Sequence, residues 1–291
     1  MMNLRLLFVA VIWGVNFSVV KFALTDFHPL GFTVVRFSLA ALFLFSMMLA
    51  RREPFTIFRH DRLSLAVLGL LGIALYNIFF MYGLQYTTAA NSALLISLSP
   101  LFGALIQAAS GRERLTMNAG FGLALASAGV YLIIKGRHGA MSLTSSGIIG
   151  DLLTLCATFT WALYTILAKP LLARYTPLKV TAYSMAAGSL LLLPVSLPGL
   201  LNQPWRAVAP ISWAALGYAA FIAAGVAYSL WYQGVKQIGV TRTMVYHYLM
   251  PFAAVLFAAT ALHERITLFQ IAGGAAILAG ISLVQTPIRR I

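Results

Sequence analysis

The stretch LRLLFVAVIWGVNFSVVKFA, residues 4–23, carries charge only at Arg5 and Lys21, near its two ends. Twenty residues at ~1.5 Å rise make a helix of about 30 Å, the thickness of a bilayer's hydrocarbon core. A signal peptide would show a shorter apolar core followed by a small-residue cleavage site. This run has neither, and it contains Trp13, Asn16 and Lys21, so we expect it to stay in the mature protein.

The rest of the chain repeats that character. The 291 residues are 61% hydrophobic and 9% charged, with a mean hydropathy of +0.90. A soluble domain is about 25% charged, so too few charges remain here to coat a globule. Apolar stretches between charged or Gly/Pro-rich breaks fall at 4–23, 29–50, 63–84, 88–109, 117–135, 147–168, 176–197, 211–234, 240–261 and 267–285. They are too long and too uniformly apolar for the alternating strands of a membrane barrel. Helices satisfy every backbone hydrogen bond within the segment, as lipid demands. The expected fold is an all-α integral membrane protein of ten transmembrane helices, with no room for a soluble domain.

The net charge of +14 does not point to nucleic acid, because the basic residues are scattered between apolar segments. Fourteen of the 20 Lys and Arg, from Arg5 to Arg290, fall on the side that holds both termini of a ten-span chain. The positive-inside rule therefore puts both termini in the cytoplasm. The single cysteine, Cys156, excludes an internal disulfide and reads as packing within an apolar run.

An internal repeat sets the architecture. Trp13 and Lys21 are eight residues apart, as are Trp161 and Lys169, and Pro29 and Pro177 follow at the same offset of 148. Further on, Gly83 matches Gly234, Pro100 matches Pro251, and Glu113-Arg114-Leu115-Thr116 matches Glu264-Arg265-Ile266-Thr267, all at 151. Gly122 and Gly129 match Gly273 and Gly280 at that same offset. One three-residue change is what a loop insertion would produce. Two halves, 1–140 and 141–291, then hold five spans each, and an odd number turns the second copy upside down. Inverted repeats are a recurrent construction of secondary transporters, because exchanging the conformations of the halves exchanges inward-open for outward-open.

Three motifs carry a family resemblance. Trp13-Gly14-Val15-Asn16-Phe17, with Lys21, Pro29, Arg36-Phe37 and Ala40-Ala41, resembles the opening of the EamA-type family of the drug/metabolite transporter superfamily. Leu98-Ser99-Pro100-Leu101-Phe102 with Arg112-Glu113-Arg114-Leu115-Thr116, and Met250-Pro251-Phe252 with Glu264-Arg265-Ile266-Thr267, are similar to its two proline-containing helices and their closing turns. Arg112 and His263 stand where that family usually has Gly, a departure that concerns loop geometry. The resemblance spans the whole chain. It implies a ten-helix carrier of the bacterial inner membrane with a central cavity, exporting metabolites such as amino acids.

Candidate substrate-binding residues are the polar and aromatic side chains at depth: Trp13, Asn16, Tyr76, Asn77, Phe80, Asn91, Trp161, Trp231, Tyr246 and His247. Aromatic walls with a few hydroxyls suit a zwitterion with an apolar or aromatic side chain; packing or an interfacial aromatic belt is the competing explanation, for Trp231 among others. Pro100 and Pro251 are candidate hinges, since each frees the carbonyl four residues earlier, on Ile96 and His247. Arg36 either snorkels outward, the favoured expectation, or holds a substrate carboxylate.

None of the acids Asp26, Glu53, Asp61, Glu113, Asp151 and Glu264 falls at mid-membrane, where proton-coupled efflux often keeps a carboxylate. His247 is the remaining titrating group for proton coupling; uncoupled export is the alternative. Drug or other metabolite efflux is the second transport reading. No His-Glu-x-x-His, spaced Cys/His cluster or pair of mid-span carboxylates suggests an enzyme, and no metal or cofactor is expected. The expected partners are a small-molecule substrate and membrane lipid.

Overall fold

The computed structural model describes residues 3–87, 92, 95–110, 117–135, 145–251, 253 and 267–285. Every regular element among the described residues is helical. In chain order they are α1 (Leu4–Ala23), α2 (Pro29–Ala50), α3 (Asp61–Tyr86), α4 (Ser99–Ala109) and α5 (Met117–Lys135). There follow α6 (Ser145–Arg174), α7 (Pro177–Leu201), α8 (Pro210–Ile238), α9 (Val240–Met244) and α10 (Leu268–Gln285). Six of them, α1, α2, α3, α6, α7 and α8, are long and apolar enough to cross a membrane. The outer surface carries Leu4, Phe8, Leu42, Leu49, Leu190 and Leu201, as a lipid-facing surface should.

The first two spans begin and end where the apolar pattern places them. Asn3 caps α1 by accepting from the Arg5 backbone N–H, and Pro29 starts α2 at the first helical turn, where its missing N–H costs nothing. The expected span 147–168 is exceeded: α6 runs through Pro170 to Arg174. Its last turn carries Arg174, and Lys169 lies exposed one turn before it. Cys156, expected in packing, is exposed on α6.

Two features of α3 and α8 matter for the site. Each contains a π-helical segment, Leu70–Leu75 in α3 and Tyr218–Val226 in α8. The residue offset between these segments is 148 at their starts and 151 at their ends. With the two halves aligned on the matches above, the three-residue change falls within these segments and not in a loop, because a π turn takes up extra residues while keeping the helix continuous.

Helices pack through small residues, as expected where lipid gives no hydrophobic drive to association. Gly69 of α3 and Gly188 of α7 lie against each other's backbone. Along the α5–α10 pair, Gly129 abuts Gly273 and Ile277, while Gly280 abuts Gly122 and Ala126. Gly120 faces open space and plays no such part.

Two polar ties fix helix ends. The carboxylate of Asp61, at the start of α3, accepts from Arg174 Nη1 at 2.7 and 2.9 Å and from the Tyr175 hydroxyl at 2.8 Å. Asp26, just beyond α1, accepts from the Ser212 hydroxyl at 2.6 Å and the Ala209 N–H at 3.2 Å, at the start of α8. Arg174 follows Asp26 by 148 residues, as Ala209 follows Asp61, so the two ties join corresponding helix ends.

Candidate functional site

The centre of the molecule holds one aromatic-walled cavity of about 30 Å³. Its lining comes from α1 (Trp13, Asn16, Phe17), α2 (Arg36), α3 (Tyr76, Phe80) and α6 (Trp161). Tyr228 of α8, Ile96 before α4, and His247 and Met250 after α9 complete it. The helical period puts Trp13, Asn16 and Phe17 on one face of α1, and Tyr76 and Phe80 on one face of α3.

Aromatic contacts hold the walls. Trp13 and Trp161, the repeat-related tryptophans, meet edge to face at 5.3 Å, and Tyr228 meets Trp13 at 5.4 Å and Trp161 at 5.2 Å. The His247 ring stacks on Trp231 at 4.4 Å and on Trp161 at 5.6 Å, and its Nδ1 pairs with the Ser99 hydroxyl. Trp231 is 1% exposed, so it supports the site from behind and does not belong to an aromatic belt.

The prolines break their segments beside the cavity. A non-helical turn at Ser97–Leu98 precedes Pro100, and a 3₁₀ segment, Val245–Leu249, precedes Pro251. Ile96 and His247, four residues before the prolines, both line the cavity, and the His247 carbonyl accepts from the Met250 N–H in place of the missing proline donor.

The π segment of α8 positions two site residues. Its Ala223 carbonyl accepts from Trp13 Nε1 at 2.8 Å, and its Ala219 carbonyl accepts from Arg36 Nε at 3.0 Å. Arg36 is 3% exposed, so the expectation that it snorkels to the outer surface is wrong. The bond to Ala219 turns the side chain inward, over the Phe37 ring at 4.8 Å. Among the described residues no carboxylate pairs with it.

Three buried polar atoms of lining residues have no hydrogen-bond partner among the described residues: Asn16 Oδ1, Trp161 Nε1 and His247 Nε2. Buried polar atoms are nearly always paired; three of the six unpaired ones among the described residues belong to this lining, the others being Asn77 Oδ1, Ser189 Oγ and the Tyr232 hydroxyl. The three in the lining offer an acceptor, a donor and a nitrogen of either role.

Contacts between helices flank the cavity on two sides. Toward one end, Phe17 meets Phe80 at 5.5 Å, and one turn further Lys21 Nζ donates to the carbonyls of Leu84 and, at 3.0 Å, Thr87. Toward the other, Trp231 Nε1 donates to the Thr165 hydroxyl at 3.4 Å and Lys236 Nζ to the Tyr175 carbonyl at 3.1 Å. Thr165 and Trp231 are the repeat positions of Phe17 and Phe80. Lys169, the repeat position of Lys21, is exposed.

Of the residues singled out from sequence, Trp13, Asn16, Tyr76, Phe80, Trp161 and His247 come together in the lining, with Trp231 behind them. Asn77 is not in the lining: its amide donates to the Ile73 carbonyl at 2.8 Å, and its Oδ1 is buried without a partner among the described residues. Tyr246 lies toward the N-terminus, its hydroxyl accepting from the Asn3 N–H at 2.7 Å. Asn91, Glu113 and Glu264 lie outside the described residues. Ile96 was expected beside the cavity only through its carbonyl, and Phe17 and Met250 were not foreseen as lining; the i, i+4 step from Trp13 to Phe17 is the signal that was there to read.

The EamA-like transporter family model matches residues 1–135 and 148–286. The chain belongs to the EamA-like transporter family. It is a membrane transporter and not an enzyme. An uncharacterised transporter of Archaeoglobus fulgidus is 33% identical over 282 residues, covering 97% of this chain and 96% of its own. A probable terminal-alkyne amino-acid exporter of Streptantibioticus cattleyicolor is 29% identical over 96% of this chain and 92% of its own. A solved crystal structure superposes on this EamA-family chain with a TM-score of 0.75 at 20% identity, covering 96% of this chain and 95% of the other, which shows a shared fold.

Proposed function

We propose that this protein exports neutral, chiefly aromatic amino acids across the bacterial cytoplasmic membrane by alternating access through the central cavity. The observation that carries this reading is the set of open polar atoms, Asn16 Oδ1, Trp161 Nε1 and His247 Nε2, inside walls of Trp, Tyr and Phe. An amino acid's polar end pairs with such atoms, and its side chain packs on the rings. The similarity to a protein named a probable terminal-alkyne amino-acid exporter supports the same class.

The mechanism we infer is a rocking of two inverted five-helix halves, residues 1–140 and 141–291, with both termini cytoplasmic and Pro100 and Pro251 as hinges. A cavity of about 30 Å³ has room for a water or two, roughly 10–15 Å³ of such space being needed for each. An amino acid enters only when the walls part. The Lys21 end then faces outward and the Lys236 end faces the cytoplasm. Opening outward separates Lys21 from Leu84 and Thr87; opening inward separates Trp231 from Thr165 and Lys236 from Tyr175.

Uptake into proteoliposomes tests this, with labelled phenylalanine, threonine and a drug cation compared with and without a pH gradient. Protein-dependent phenylalanine flux that ignores the gradient is expected. Drug-cation flux driven only by the gradient would refute it and turn attention to His247.

A further inference from the structure

Arg36 is the site's one unexplained charge. It sits within α2, 3% exposed, and no acid among the described residues pairs with it. A buried cation in a membrane protein is expensive, and it persists where a partner or a ligand compensates it. Its neighbours are the Phe37 ring and the Tyr76, Tyr218 and Tyr228 side chains, which offer dipoles and no negative charge. Nε is held by the Ala219 carbonyl, which fixes the plane of the guanidinium at the cavity wall. A fixed planar fork with terminal N–H groups to spare fits a carboxylate in two-point contact.

We propose that Arg36 selects substrates by their carboxylate, which supplies the negative charge that the described lining residues lack. This rests on the reading that the central cavity is the substrate site. Among the described residues no acid lines the cavity, so an ammonium group meets neutral acceptors, Asn16 Oδ1 and His247 Nε2, and aromatic faces such as those of Trp13, Trp161 and Tyr228. Such faces attract a cation more weakly than a carboxylate does. The carboxylate therefore dominates recognition, and the ammonium is tolerated. A substrate with both groups enters as a neutral species, which lowers the penalty of bringing it to mid-membrane. An amine without a carboxylate would place a second positive charge beside Arg36 and be rejected.

Three ligands of one shape separate the possibilities: phenylalanine, 3-phenylpropionate with only the carboxylate, and phenethylamine with only the amine. Trp13 and Trp161 line the cavity and Trp231 stacks behind it, so tryptophan fluorescence of the purified protein reads binding directly. Phenylalanine and 3-phenylpropionate are expected to bind, and phenethylamine at least about 30-fold more weakly, the scale for an unpaired buried charge. Arg36→Gln should weaken both carboxylates by about 30-fold and abolish the discrimination, while Arg36→Lys restores part of it. Thermal melting of each variant guards against misfolding, and the wild-type ranking decides the question even if Arg36→Gln fails to fold.

Phenethylamine binding as tightly as 3-phenylpropionate overturns the proposal, and so does wild-type protein that binds none of the three. Undiminished phenylalanine binding by folded Arg36→Gln also overturns it, leaving amino acid transport intact. Binding of 3-phenylpropionate without phenylalanine keeps the role of Arg36 and overturns the amino acid reading instead.

Discussion

Lys21→Met should loosen one end of the cavity without touching its lining. The ammonium donates to two carbonyls, those of Leu84 and Thr87, at the C-terminal end of α3. A charged hydrogen bond is worth about 1.5–3 kcal/mol when fully desolvated, and the helix terminus adds about 0.3–1 kcal/mol. Lys21 is partly exposed, so water recovers much of this when the contact opens. A net of about 1.5 kcal/mol follows for the closed form, near the ~1.4 kcal/mol that makes a tenfold change in an equilibrium. Methionine keeps the apolar stem and removes only the donors. The reporter is Ile96→Cys, a buried lining position, in a Cys156→Ser background. Its labelling rate by a soluble thiol reagent follows the open population when opening is fast relative to reaction. The rate should rise about tenfold in Lys21→Met and stay near the starting value in Lys21→Arg. Lys169→Met, altering an exposed side chain, should not raise it. A Lys21→Met rate within about twofold of the lysine protein, under 0.5 kcal/mol, would refute the latch.

Two tryptophan variants should part company. Both variants lose the packing of an indole, but Trp161→Phe removes a donor with no partner among the described residues and should melt closer to the starting protein than Trp13→Phe, while substrate affinity falls. Trp13→Phe strands the Ala223 carbonyl and should cost about 1–3 kcal/mol, read as a lower melting temperature. Asp61→Asn replaces a buried acceptor of two Arg174 bonds and one Tyr175 bond, so detergent-solubilised protein should lose about 1–3 kcal/mol, the half-exposed Arg174 limiting the loss. Gly129→Val would push a side chain into the Gly273 carbonyl and Ile277, and about 1–3 kcal/mol of destabilisation is expected from overpacking; Gly120→Val, facing open space, is the control that should melt unchanged.

The first two span boundaries were legible because lipid imposes one rule on a segment, twenty or so apolar residues with charges at the ends, while α6, α7 and α8 run several residues past theirs. Residues 4–23 and 29–50 coincide with α1 and α2 on that rule alone. The aromatic residues of the site were legible for a related reason, since an indole or amide placed deep in a span has to meet something. Rotation about the helix axis was not legible. Asn77 and Tyr76 are neighbours in sequence, yet Tyr76 lines the cavity and Asn77 caps back on Ile73. Arg36 misled because snorkelling depends on which way the side chain leaves the helix. That direction is fixed by the Ala219 carbonyl 183 residues away, in a π segment with no distinct sequence pattern.

The two closures of the cavity use equivalent positions with unequal chemistry. Phe17 against Phe80 is a purely apolar contact, while Thr165 with Trp231 is a hydrogen bond, and only one lysine of the repeated pair is engaged. Separating two phenyl rings exposes apolar surface, whereas separating an indole from a hydroxyl exposes groups that water satisfies at once. The two ends therefore differ in what opening costs. Lys21 stiffens the apolar end further by tying α1 to α3, whereas the polar end relies on Lys236 and the Tyr175 carbonyl. Under the exporter reading, the polar end faces the cytoplasm, where substrate must be admitted, and the apolar end faces outward, where leakage must be prevented. Substrate binding then acts where release is hardest, because a carboxylate brought to Arg36 changes the charge one helix away from that outer closure.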